Sequence, residues 1–96
     1  MSECNTEIIK KVLAFLEDKD YNNAIETFKS ARESFKDNPP YLSASLSLLG
    51  MALYMQDKNN YTEVLNLLNV AQYIAEFAKN NTAKIVNEYA KGTVDF

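Results

Sequence analysis

Almost nothing in this chain would stop a helix. Only two glycines and two prolines occur in 96 residues, and the prolines are adjacent, at Pro39 and Pro40. A many-stranded sheet needs turn residues every few positions, so this scarcity favours a few long helices separated by a few breaks. The apolar spacing agrees. From Thr6 to Asp18, Ile8, Ile9, Val12, Leu13, Phe15 and Leu16 recur at steps of three and four, on one broad helical stripe that Asn5 or Thr6 can cap. Ala24, Ile25, Phe28, Ala31 and Phe35 follow with the same period, and Asp20 is placed as their N-cap. The connection is so short that the two helices must lie antiparallel.

Asp37-Asn38-Pro39-Pro40 ends the second helix, because proline lacks a donor and keeps its predecessor out of helical geometry, yet it suits the first turn of the next helix. A third helix is expected from about Tyr41 to Gln56, with Leu42, Leu46, Leu49, Leu53 and Met55 on its apolar side. Gly50 interrupts it at ~1 kcal/mol relative to alanine, unless close packing requires it. Asp57-Lys58-Asn59-Asn60 forms the next turn, and Asn60 with Glu63 resembles a capping box. The fourth stripe holds Val64, Leu65, Leu68, Ala71, Ile74, Ala75 and Ala78, and beyond Asn80-Asn81-Thr82 a fifth segment carries Ile85, Val86 and Tyr89, closed by Gly92. The final Thr-Val-Asp-Phe either frays or tucks Phe96 into a groove. The expectation is one all-α domain over 1–96, with hairpins at about 5–37 and 39–79 and a capping helix at about 82–91.

The segments repeat. Asp20-Tyr21-Asn22-Asn23-Ala24-Ile25-Glu26-Thr27-Phe28-Lys29-Ser30-Ala31 aligns with Asn60-Tyr61-Thr62-Glu63-Val64-Leu65-Asn66-Leu67-Leu68-Asn69-Val70-Ala71, each just after an Asp-Lys turn, Asp18-Lys19 and Asp57-Lys58. Tyr21, Ala24, Phe28 and Ala31 resemble the second helix of a tetratricopeptide (TPR) repeat, and Leu49-Gly50 with Ala52, Leu53 and Tyr54 resembles the first. The spacing from Tyr21 to Tyr61 exceeds the period of about 34 residues usual in that family, and Lys11-Val12 stands in place of the Leu-Gly pair. The resemblance covers roughly residues 6 to 79. It implies antiparallel helical hairpins, two TPR-like repeats plus the C-terminal cap, and it gives Gly50 a role in helix–helix contact.

Catalytic chemistry is hard to build from these residues. The chain contains no histidine, which removes the commonest general base and zinc ligand. Gly50 and Gly92 stand alone, so no phosphate-binding loop is formed, and the acidic residues near the turns lack the calcium-loop pattern. Cys4 has no second thiol and no histidine beside it. No enzyme, cofactor or metal site is expected. A net charge of −3 opposes binding to nucleic acid or an anionic membrane, and the longest basic cluster is only Lys10-Lys11. The lone cysteine and the absence of a basic-then-apolar leader point to the cytosol.

What remains is a binding surface. Hydrophobic residues make up 47% of the chain, enough for one modest core. The TPR resemblance implies a concave side lined by the first helix of each hairpin, where Ser43, Ser47, Met51, Tyr54 and Met55 would meet an apolar peptide or helix of a partner protein. Met51 and Met55 are adaptable contacts, although methionines at this spacing equally fill core gaps. Tyr73, Phe77 and Tyr89 form a second aromatic line that caps the core or makes a homodimer seam. The expected function is a non-enzymatic adaptor or small chaperone. The rival is a small acidic inhibitor or immunity-type protein that neutralises a basic toxin or nuclease.

Overall fold

The apolar-periodic segments fold as helices throughout. The computed structural model describes residues 5–94, in which α1 spans Asn5–Glu17, α2 Tyr21–Phe35, α3 Pro39–Gln56, α4 Tyr61–Ala78 and α5 Asn81–Thr93, with one 3-10 turn at Lys58–Asn60. No strand occurs among the described residues, and the protein is an all-α bundle. Cys4 and Phe96 lie outside the described residues.

One turn device is used twice. Lys19 and Lys79 adopt left-handed backbone, with φ of 60° and 53°. At the first, the Lys19 N–H donates to Leu16 O and the Asp20 N–H to Phe15 O, at 3.1 and 2.8 Å. At the second, the Lys79 N–H donates to Glu76 O and the Asn80 N–H to Ala75 O, at 3.1 and 3.3 Å. These paired bonds occupy carbonyls that a helix end leaves free. The residue completing each closure then caps the next helix: Asp20 accepts from the Asn23 N–H, and Asn80 Oδ1 from the Ala83 N–H at 2.9 Å. The chain thus reverses within three residues, and α1–α2 and α4–α5 pack as antiparallel pairs.

The Asp57-Lys58 turn is built differently from its sequence counterpart at Asp18-Lys19. Asp57 is extended, with φ −157° and ψ 112°, and its carboxylate accepts from the Asn59 N–H at 2.9 Å. Asn60 makes no side-chain cap to α4. Its Nδ2 instead turns back to the Leu53 carbonyl at 3.1 Å, so the expected capping box with Glu63 does not form.

Helix α3 sits at the centre and packs against all four others, while α2 and α4 flank it with no Cα of one within 8 Å of the other. Its 18 residues include no Asp, Glu, Lys or Arg. A helix enclosed on several sides has no solvent stripe, and the burial departs from the one-sided pattern expected of it. Leu46, Leu48, Met51 and Ala52 are buried together with Ser43, Ser45, Ser47 and Gly50, whereas Leu42, Leu49 and Leu53 are half-buried. Phe35, at the end of α2, stacks on Tyr41 near the start of α3, with ring centroids 6.3 Å apart and planes 12° from parallel. The Tyr41 hydroxyl shares a 2.8 Å hydrogen bond with Thr6 Oγ1, which holds the start of α1 beside the start of α3.

Helix α5 covers the α3–α4 pair through Ala83, Asn87 and Ala90, with Val94 buried just beyond it. Asn87 is its one buried polar residue, and its Nδ2 donates to Ser47 Oγ at 3.1 Å and to Leu68 O at 3.0 Å. Among the described residues every buried side-chain nitrogen and oxygen has a partner. Helix α5 continues through Gly92 to Thr93, so that glycine does not end it. Gly50 lies where α3 meets α4, but a Cβ there would sit 3.4 Å from Leu68 Cδ2, ordinary contact. Alanine would fit, so the helix crossing does not demand glycine.

Candidate functional site

Because α5 is held against α3 and α4, and α1 against α2 and α3, the backbones of the two outer helices stand apart, with no Cα of one within 8 Å of the other. The gap is an open groove of about 800 Å³. Helix α3 forms its floor with Tyr41, Ala44, Leu48, Met51 and Met55. Ile9, Leu13 and Leu16 of α1 make one wall, and Ile85, Val86 and Tyr89 of α5 make the other. Eight large apolar side chains stand exposed among the described residues, and four of them, Leu13, Met55, Ile85 and Tyr89, line this groove. Isolated exposed apolar residues are usual on a folded protein, whereas these four are gathered around one concavity.

The five residues expected on a binding face of α3 are divided by the fold. Met51 and Met55 do lie in the groove: Met51 is 7% exposed and serves core and floor together, while Met55 is 43% exposed at one end. Ser43 and Ser47 are fully buried and turn the other way. Ser43 Oγ donates to the Ala71 carbonyl at 2.6 Å, and Ser47 holds Asn87. Their small size lets α4 and α5 approach α3, which leaves them no surface to offer a partner. Tyr54 is half-buried and faces Tyr61, whose ring centroid is 6.2 Å away, with Lys58 Nζ 5.8 Å from the Tyr54 ring centre.

Apart from Tyr89, expected to cap the core or to join a homodimer seam, the wall residues carry no binding expectation from the sequence. In α1 the apolar set is broader than the buried pair Ile8 and Val12 requires, and the surplus, Ile9, Leu13 and Leu16, is the wall. That surplus was the available signal. The expected aromatic line also divides. Tyr89 is on the groove rim, whereas Tyr73 and Phe77, at 73% and 77% exposure, stand on the side of α4 opposite its buried Leu68 and Ala75.

Polar chemistry in the groove is sparse. Among the described residues, Glu17 is the only charged one in its lining. Several polar groups there are already engaged: the Tyr41 hydroxyl with Thr6, Asn80 as the cap of α5, and Thr93 Oγ1 donating to Tyr89 O. Among the described residues no group of three or more Cys, Asp or Glu side chains is placed to hold a metal ion, and no helix is long and apolar enough to cross a membrane. Comparison with protein-family models, with curated proteins and with solved structures finds no match for this chain.

Proposed function

We propose that this protein is a non-enzymatic interaction module, an adaptor or small chaperone of the cytosol, and that it binds an apolar segment of a partner protein in the groove between α1 and α5. The observation that carries this reading is the gathering of Leu13, Met55, Ile85 and Tyr89 around one apolar concavity. Grooves of this size lined by aliphatic and aromatic side chains suit ligands that bury apolar surface. The TPR-like reading is consistent with it, since α1, α3 and α5, each followed or preceded by a helix on the outer side, share the concave face.

The test is affinity capture from native lysate with wild-type protein and with the double variant Leu13→Asp/Tyr89→Asp, at low and high salt. A partner retained at high salt by wild type and lost by the variant supports the groove. A basic partner released as salt rises, and held equally by both proteins, overturns it in favour of the acidic inhibitor, because only charge-driven contacts are screened.

A further inference from the structure

The groove's walls are helices, and this restricts what it can hold. Helical backbone N–H and C=O groups are consumed within each helix, so the walls present side chains only. From Pro40 to Met55 the floor runs ~22 Å along α3, the length of about seven residues of extended peptide or of four helical turns. An extended occupant would press about half of its backbone donors and acceptors against leucine, isoleucine and methionine. Unsatisfied backbone groups in such a setting are costly. The polar lining groups not already engaged, chiefly Glu17, Tyr21 and Thr82, are too few to satisfy them. A helix brings its own backbone bonds and presents only an apolar stripe.

Charge gives the occupant a direction. Glu17 is at the end of α1, and among the described residues the groove lining contains no basic residue to balance it. The chain as a whole is at −3, so a cationic residue on the occupant gains both locally and at long range.

We infer that the occupant is an amphipathic α-helix of a partner protein, about four turns long, with apolar residues at i, i+3, i+4 and i+7 and a lysine or arginine at the end that meets Glu17. This rests on the reading of the groove as the partner site, and it names the occupant's conformation and chemistry. Helices in grooves are read through such spaced anchors.

The experiment is selection of a displayed library of random 16-residue peptides on the immobilised protein, with the recovered peptides then titrated against wild type, Leu13→Asp/Tyr89→Asp and Glu17→Lys. The expected result is enrichment of sequences with apolar residues three and four apart and a terminal basic residue. Their affinity should fall at least tenfold with Leu13→Asp/Tyr89→Asp and severalfold with Glu17→Lys, and a central proline should abolish binding. Enriched sequences with alternating apolar residues, indifferent to proline but still lost with Leu13→Asp/Tyr89→Asp, overturn the helix and leave the groove standing. Equal binding to wild type and to Leu13→Asp/Tyr89→Asp, or no enrichment, overturns both. Sedimentation of the unliganded protein as a dimer that Leu13→Asp/Tyr89→Asp converts to monomer also overturns the inference, because the occupant is then a second copy.

Discussion

The amide of Asn87 on α5 donates to the hydroxyl of Ser47 on α3 across 3.1 Å, and the same nitrogen donates to the Leu68 carbonyl on α4 at 3.0 Å. One side chain, 2% exposed, therefore joins three helices and holds one wall of the groove in place. The remaining α5 contacts are largely alanine, which buries little area per residue, so a specific polar link matters more here than in an aliphatic interface.

Replacing Asn87 by alanine leaves the Ser47 hydroxyl and the Leu68 carbonyl short of a buried partner, which costs roughly 1–3 kcal/mol. The melting temperature should fall by several degrees, at roughly 4–8 °C per kcal/mol for a domain of this size. Ser47→Ala should cost less, because Asn87 keeps Leu68. Thermal unfolding of both variants by circular dichroism checks the order, and a larger loss for Ser47→Ala would contradict it.

Gly50→Ala should be neutral or stabilising by up to ~1 kcal/mol, since the added methyl meets Leu68 at ordinary contact distance and removes glycine's excess chain entropy. Gly92→Ala should stabilise by a similar amount, because nothing lies within 4 Å of the new Cβ. Gly50→Val should destabilise by overpacking α3 against α4. Chemical denaturation of the three variants separates these outcomes.

Lys19 and Lys79 occupy left-handed backbone that costs an L-residue roughly 1–2 kcal/mol and glycine very little. Lys19→Gly and Lys79→Gly should each stabilise the fold by up to ~1 kcal/mol after the entropy of the added glycine is counted. The two effects should add, because the turns lie in separate helix pairs. A urea titration of the single and double variants measures this.

Leu13→Asp and Tyr89→Asp sit on exposed rims, and each should change stability by no more than about 0.5 kcal/mol. Partner affinity should nevertheless drop at least tenfold. Tyr54→Ala should leave affinity unchanged, because Tyr54 faces Tyr61 and Lys58. Isothermal titration with a bound partner, beside a melting curve for each variant, distinguishes lost contact from lost fold.

The helices were legible in the sequence because their signals are local. Apolar spacing, the Asp20 cap and the Pro39-Pro40 break need no knowledge of what packs where, and each boundary was found within a few residues. The face of α3 was not legible. With no charged residue from Pro39 to Gln56, nothing in that segment marks a solvent side, and serine suits a tight helix crossing as well as a polar surface. Ser43 and Ser47 therefore carry no local mark of the contacts they make with Ala71 of α4 and Asn87 of α5. The Asp-Lys pairs misled for a related reason. An Asp-Lys pair precedes both copies of the repeat, Asp18-Lys19 and Asp57-Lys58, but the geometry of the first recurs at Lys79-Asn80, because a left-handed residue followed by a cap decides the turn and an aspartate before the lysine does not.

Hydrogen exchange of the protein with and without its captured partner tests the central claim most directly. Helices α1 and α5 are held on one side only, so their amides should exchange readily in the free protein and slow when the groove fills. The account predicts added protection over residues 9–17, 44–55 and 82–93, with residues 62–77 unchanged. Protection confined to residues 70–77, the exposed side of α4 around Tyr73 and Phe77, would contradict it and move the binding surface to the opposite side of the molecule.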